Sequence, residues 1–129
     1  MTLSEYFKSA KGTGILATAN ASGEVDAAVY ARPHILDEKT IAFIMADRLS
    51  HRNLQSSPHA AYLFIEHGEG YKGLRLHLTK SSEETDSAKI QAVRRRPLSV
   101  EAGVESEARY LVHFRVDRVR PLIGDGPEP

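Results

Sequence analysis

Residues 59–81 read HAAYLFIEHGEGYKGLRLHLTKS, and this stretch decides the fold class. His59 to Glu66 is apolar on both sides through Ala60-Ala-Tyr-Leu-Phe-Ile65, the pattern of a strand covered on two faces. His67-Gly-Glu-Gly-Tyr-Lys-Gly73 is a glycine-rich connection. Leu74 to Ser81 then alternates, with Leu74, Leu76 and Leu78 against Arg75, His77 and Thr79, the period of a half-buried strand. Two such strands joined by a short glycine loop make an antiparallel hairpin.

Hairpin signals recur upstream. Ile41 to Ala46 (IAFIMA) is again apolar on both faces, and Asp37-Glu-Lys-Thr40 is the turn before it. Val25 to Leu36 reads as one long strand. Val25, Ala27, Val29 and Ala31 fall on one side of it, and Ala28, Tyr30, Arg32 and His34 on the other. Pro33 cannot donate to a ladder, so this strand is an edge or bends there. Gly14 to Asn20 is the first strand, and Ala21-Ser-Gly23-Glu24 turns it into the second. A short helix over Thr2 to Lys11 precedes it. Thr2 or Ser4 caps this helix, Leu3, Tyr6, Phe7 and Ala10 share one face, and Gly12-Thr-Gly14 breaks it.

Ser50 to Ser57 is predicted as a helix capped by Ser50 and stopped by Pro58. Ser82 to Arg96 is predicted as another. Ser82 caps it, Glu83 to Asp86 crowd its positive end, Arg94 to Arg96 sit at its negative end and Pro97 stops it. Tyr110 to Val119 is the last strand, and the tail from Gly124 to Pro129 is expected to fray. About six strands with short helices between them imply a mainly β chain, a small antiparallel barrel or a meander with helical caps. A parallel sheet is excluded because helices do not alternate regularly with strands.

Composition narrows the function. The 129 residues suit one domain over 1–129. Lys and Arg number 17 and so do Asp and Glu, so no net charge draws the chain to nucleic acid or anionic lipid. The absence of cysteine removes disulfides, thiolate metal sites and a cysteine nucleophile, so redox work needs a borrowed cofactor. No apolar run approaches membrane-spanning length, and the N-terminus has no signal-peptide pattern, which makes the cytoplasm the expected compartment. The histidines lack metal-ligand spacing and no nucleophile elbow is present, so neither a metal site nor hydrolase chemistry is expected.

Three segments have the residue types for ligand chemistry. Ala46-Asp-Arg-Leu-Ser-His-Arg-Asn-Leu54 leaves a strand and opens a helix. Free N–H groups at a helix start attract anions, Arg48 adds a charged fork and Ser50, Arg52 and Asn53 add donors. Val29-Tyr-Ala-Arg-Pro-His34 projects a phenol, a guanidinium and an imidazole from one strand face. Gly68-Glu-Gly-Tyr-Lys-Gly73 offers close backbone approach, with Tyr71 able to stack on a flat ligand. Each has a plain structural use as well, as a capped helix, a solvated strand face and a flexible turn, and the local pattern alone favours that use. No residue stands out as a catalytic acid or base.

The order of these pieces resembles a known family. Gly14-Ile-Leu-Ala-Thr18, Val25-Asp-Ala-Ala-Val-Tyr-Ala-Arg-Pro33, the stretch from Ile41 to Leu54 and Ala60-Ala-Tyr-Leu-Phe-Ile-Glu66 are similar, in sequence order, to the FMN-binding, pyridoxamine 5′-phosphate oxidase-like family. The resemblance runs from the first helix to the last strand. It implies a six-stranded antiparallel Greek-key split β-barrel with short flanking helices, a homodimer, and two FMN sites at the dimer interface. Carried over residue by residue, Val29, Tyr30 and Ala31 lie beside the flavin ring, with Arg32 at the end of that strand. Met45, Ala46 and Asp47 match the strand exit near the ribityl chain. Arg48, Ser50 and Asn53 match the phosphate turn, and Tyr71 is a weaker match from the partner chain. The resemblance implies an oxidoreductase or electron carrier. A non-enzymatic flavin binder or sensor, or a barrel using deazaflavin or haem, are the alternatives.

Two departures stand out. Leu49 occupies the position where many family members carry a lysine, leaving Arg48 and Arg52 as substitutes. The C-terminal arginine and histidine motif of true pyridoxamine 5′-phosphate oxidases has no counterpart, so vitamin B6 oxidation is not expected. A second copy is also expected from the residues themselves, because strands apolar on both faces at Ile41–Ala46 and Ala60–Ile65 need cover.

Overall fold

The computed structural model describes residues 2–85, 87–93 and 109–125. Helix α1 (Leu3–Ser9) opens on a reciprocal cap, in which the Thr2 hydroxyl accepts from the Glu5 N–H at 3.1 Å and Glu5 reaches back to the Thr2 N–H. Its Phe7 is buried and Leu3, Tyr6 and Ala10 pack beside it, the face expected from their spacing. Strands β1 (Gly12–Ala19) and β2 (Val25–Val29) form a hairpin. Gly23 turns it at φ +82°, a conformation that suits glycine. The Asn20 side chain accepts from the Ser22 and Glu24 N–H groups, each at 3.0 Å.

Strands β3 (His34–Asp37) and β4 (Thr40–Ala46) make the next hairpin, followed by helix α2 (Leu49–Ser56) and strands β5 (His59–Glu66) and β6 (Gly73–Glu84). Helix α3 (Ser87–Val93) and strand β7 (Arg109–Pro121) complete the described elements. All pairings are antiparallel, and the described residues form one sheet in the order β2-β1-β5-β6-β7-β4-β3.

That sheet has seven strands rather than six, because Val25 to Leu36 is two strands. The ladder with β1 ends where the Tyr30 N–H donates to the Gly14 carbonyl at 2.9 Å. The chain then passes through buried Pro33, which has no N–H to pair, and His34 takes up β4 as its partner. The two margins of the sheet, β2 and β3, are thus joined by Tyr30–Pro33 alone. The sheet curls to allow this. Phe43 of β4 meets Tyr62 of β5 at 5.1 Å, Phe114 of β7 at 5.9 Å and Tyr30 at 5.7 Å, between ring centroids. One aromatic and aliphatic core fills the concave side, with Leu16, Met45, Tyr62, Phe64, Leu76 and Val112 without solvent exposure.

Gly12 and Thr13 extend β1 rather than only breaking the first helix. The expected helix from Ser82 is also overturned at its start. Ser82, Glu83 and Glu84 continue β6 and pair with His113, Val112 and Leu111. A ladder of this length satisfies their backbone groups more fully than a new helix start would. Asp86, Arg94 to Arg96, Pro97 and residues 126–129 lie outside the described residues.

The two-faced apolar strands divide in their fate. On β4, Ile41, Phe43 and Met45 enter the main core, while Ala42 and Ile44 pack with Leu111 and with Ile90 and Val93 of α3. A helix of the same chain therefore covers the face for which the sequence implied a partner. On β5, Tyr62 and Phe64 point inward, and Ala61, Leu63 and Ile65 face outward, half-buried. Register places Leu63 opposite Ile15, and Ile15 opposite Val29, which is 77% exposed. Ala61, Ala17 and Ala27 form the next row. The outer side of β2-β1-β5 is therefore one continuous apolar face.

Candidate functional site

Three of the expected residues converge. Tyr30 leaves the end of β2 with its ring against Phe43, and its phenol hydrogen-bonds Ser50 on the first turn of α2. Burial raises the Tyr30 phenol above its ordinary value. The Ser50 contact and the nearby Arg48 charge pull the other way, and Asp26 adds to the rise. The phenol therefore stays protonated and neutral through the physiological range.

Ser50 does not cap α2. The capping position is Arg48, whose side chain makes no cap hydrogen bond, and Ser50 is buried inside the helix. Its hydroxyl serves Tyr30 instead, so the first-turn N–H groups lack a side-chain acceptor from the capping residue. Arg48 is exposed there, and Arg52, with its side chain 68% exposed, stands one turn on. Arg52 donates to the Asp47 carbonyl at 3.3 Å. An uncapped helix start flanked by two guanidinium groups is a donor set suited to a phosphate.

Other expected residues have different duties. The Arg32 guanidinium donates to the Phe7 and Ala10 carbonyls at 2.7 and 3.0 Å, closing the end of α1. Met45 has no exposure and belongs to the core. Asn53 is buried and donates to Thr18 Oγ1 at 3.1 Å, pinning α2 to β1. Val29 and Ala31 lie exposed on either side of Tyr30, and Ala46 ends β4 half-buried. Tyr71 is 78% exposed in the β5–β6 loop, which closes next to α1 through the His67 N–H to the Lys11 carbonyl, away from α2.

The sequence reading missed the network beneath the turn. His51 is buried, with Nδ1 3.1 Å from Asp47 and Nε2 3.0 Å from Glu83, and its ring stacks on Tyr110 at 3.9 Å. Burial by itself would raise Glu83, but Lys80, Gln55 and His51 together hold it down at about 2. This network ties β6 to α2 and fixes Asp47 beside the turn. The i,i+4 spacing of Asp47 and His51 was a visible signal. The Glu83 partner was hidden by its assignment to a helix. A shallow apolar groove of about 220 Å³, lined by Ala17, Ala19, Val25, His59 and Ala61 among others, lies at the other end of β1 from Tyr30.

No family model and no curated protein sequence matches the chain. Solved structures do. An FMN-binding protein from Syntrophomonas wolfei subsp. wolfei superposes with a TM-score of 0.73 at 15% identity, covering 93% of this chain and 83% of that one. HupZ from Group A Streptococcus gives 0.75 at 17% identity, with both chains covered over 100%. The chain shares their fold. A heme binding protein from Mycobacterium smegmatis gives 0.66 at 20% identity, covering 94% of this chain and 52% of that one. An F420 reductase and two chains assigned as pyridoxamine 5′-phosphate oxidase, from Lactobacillus delbrueckii and Listeria innocua, have the same fold. Among the described residues no helix is long and apolar enough to cross a membrane.

Proposed function

We propose that this chain binds FMN as a homodimeric split barrel and works as an oxidoreductase or electron carrier. The observation that carries the proposal is the meeting of Tyr30, Ser50 and Arg48 at the uncapped start of α2, in a fold shared with an FMN-binding protein. Arg48, Arg52 and the first-turn N–H groups would hold the phosphate. The backbone from Val29 to Ala31 would lie beside the ring, at the rim of the apolar face of β2-β1-β5. A second copy seated on that face would complete the site. Bound flavin supplies one- and two-electron transfer, and the protein's part is to hold and orient it.

The test is reconstitution. Purified protein incubated with FMN and passed through gel filtration should retain a flavin spectrum. Arg48→Ala should weaken binding by about 1.5–3 kcal/mol, the range of a charge-assisted contact. A protein that emerges colourless refutes the reading, and unchanged affinity in Arg48→Ala removes the phosphate from this turn.

A second reading, a heme or F420 binder, is favoured by the fold shared with proteins of those descriptions. For heme, His51 is buried with both ring nitrogens engaged and His113 holds Glu84 at 2.9 Å, so exposed His59 and His67 would be the residues to hold it. An intense Soret band after hemin addition would favour heme over flavin.

A further inference from the structure

A buried histidine between two carboxylates is costly to desolvate, and His51 is so placed. Neither carboxylate needs it for solvation. Glu83 already accepts from Lys80 Nζ at 2.6 Å and from the Gln55 amide at 2.9 Å, which anchors it on β6. Asp47 keeps water of its own, since its side chain is 51% exposed. The contact that calls for another explanation is His51 Nδ1 to Asp47 Oδ1, at 3.1 Å.

A second cation competes for that same oxygen. Arg52 Nε lies 3.9 Å from Asp47 Oδ1, the long limit of an ion pair, and Arg52 Nη2 already donates to the Asp47 carbonyl at 3.3 Å. A small rotation of the half-exposed carboxylate would close the pair. It would also bring a negative charge to the start of α2, where the helix dipole favours an anion. A carboxylate in that place occupies the guanidinium and repels a phosphate. The hold that prevents this depends on hydrogens. Glu83, kept at about 2, is ionised and only accepts, so His51 Nε2 meets it as N–H. Nδ1 can then donate to Asp47 only when the ring carries its second proton. The groups that share this balance are Asp47 before α2, Arg52 and Gln55 on α2, Lys80 and Glu83 on β6, and Tyr110 on β7, whose ring stacks on His51 at 3.9 Å.

We infer that His51 is a positioning residue for the anion site at α2: it retains Asp47 and so leaves Arg52 for the phosphate of a ligand. In the imidazolium form the tether is made and the site is open. In the neutral form Asp47 is released to Arg52 and competes with the ligand. The inference rests on reading α2 as the phosphate end of a flavin site, and its test includes a measurement that needs no flavin.

FMN affinity, followed by flavin fluorescence, is the first readout. His51→Phe keeps a flat ring on Tyr110 and removes both nitrogens. It should weaken FMN about fivefold, the reach of one exposed ion pair. Adding Asp47→Asn should restore the affinity. Riboflavin, which lacks the phosphate, should bind the parent and both variants alike. Asp47→Asn alone, at an exposed position, guards against a folding defect in His51→Phe. Between about pH 6 and pH 8 the parent should lose FMN affinity relative to Asp47→Asn, a ratio that cancels the ionisation of the phosphate itself near pH 6. The inference fails if His51→Phe binds FMN as the parent does, if the double variant stays weak, if the ratio is flat with pH, or if riboflavin loses as much as FMN. Without any ligand, the Arg52 Nε–H resonance in NMR should move in His51→Phe and return in the double variant. A parent that retains no FMN sinks the flavin reading, and this resonance then decides alone. Movement and return uphold the hold on Asp47, and an unmoved resonance overturns it.

Discussion

Tyr62→Phe removes a single oxygen from a side chain with no solvent exposure. That hydroxyl reaches the carbonyls of Tyr30 at 3.2 Å and Ala31 at 3.0 Å, across the link between the sheet's two margins. The ring itself, in contact with Phe43 at 5.1 Å and Phe64 at 6.5 Å between centroids, stays in place. Losing a buried hydrogen-bond partner costs about 1–3 kcal/mol. Ala31 is exposed, so its carbonyl can turn to water, which places the expected loss at about 1–2 kcal/mol. For a chain of 129 residues that lowers the melting temperature by roughly 3–10 °C. Calorimetric melting of the two proteins at neutral pH measures it directly. A variant that melts within about 1 °C of the parent would refute the view that this hydroxyl holds the link. The same substitution should loosen FMN several-fold, because Tyr30 and Ala31 flank the proposed ring position.

Three further outcomes are expected. A Cβ on Gly14 would stand 2.5 Å from the Tyr30 carbonyl oxygen and from the Tyr62 ring, so Gly14→Ala should cost about 3 kcal/mol or more in chemical denaturation, and adding Tyr62→Phe should not restore it. Glu83, held at about 2 instead of 4.5, contributes stability that is complete above about pH 4.5 and lost as the pH falls through about 2. Melting temperature should therefore drop over that acid interval, less steeply in Glu83→Gln, and identical slopes would sink the assignment. Val29→Asp, on the exposed apolar face, should convert a dimer to a monomer in light scattering, and an unaltered dimer would move the interface elsewhere.

Much of the fold was legible because it is written in short periods. β5 matches its expected bounds from His59 to Glu66, and the Leu74, Leu76 and Leu78 alternation marks the inner face of β6. The errors arose where distant residues decide. Ser82-Glu-Glu84 has the look of a helix start, yet β7 pairs it into a strand, and no local signal announces that partner. Ser50 has the look of a cap, yet Tyr30 takes its hydroxyl from twenty residues away. At the candidate site, the positions of Arg48, Ser50 and Tyr30 could be read from residue type and order. Pattern could not tell that Arg32 closes the end of α1, that Asn53 bonds Thr18 and that Met45 belongs to the core.

A sheet with two margins ordinarily exposes two rows of unpaired backbone groups, each a template for a strand of another molecule. Here the marginal strands are five and four residues long and are consecutive in the chain. The passage between them contains a proline and presents carbonyls already taken by Tyr62. A foreign strand seeking to extend the sheet would find only a short rail that ends against the protein's own crossing segment. The connection that shapes the candidate site also protects the sheet from edge-to-edge aggregation.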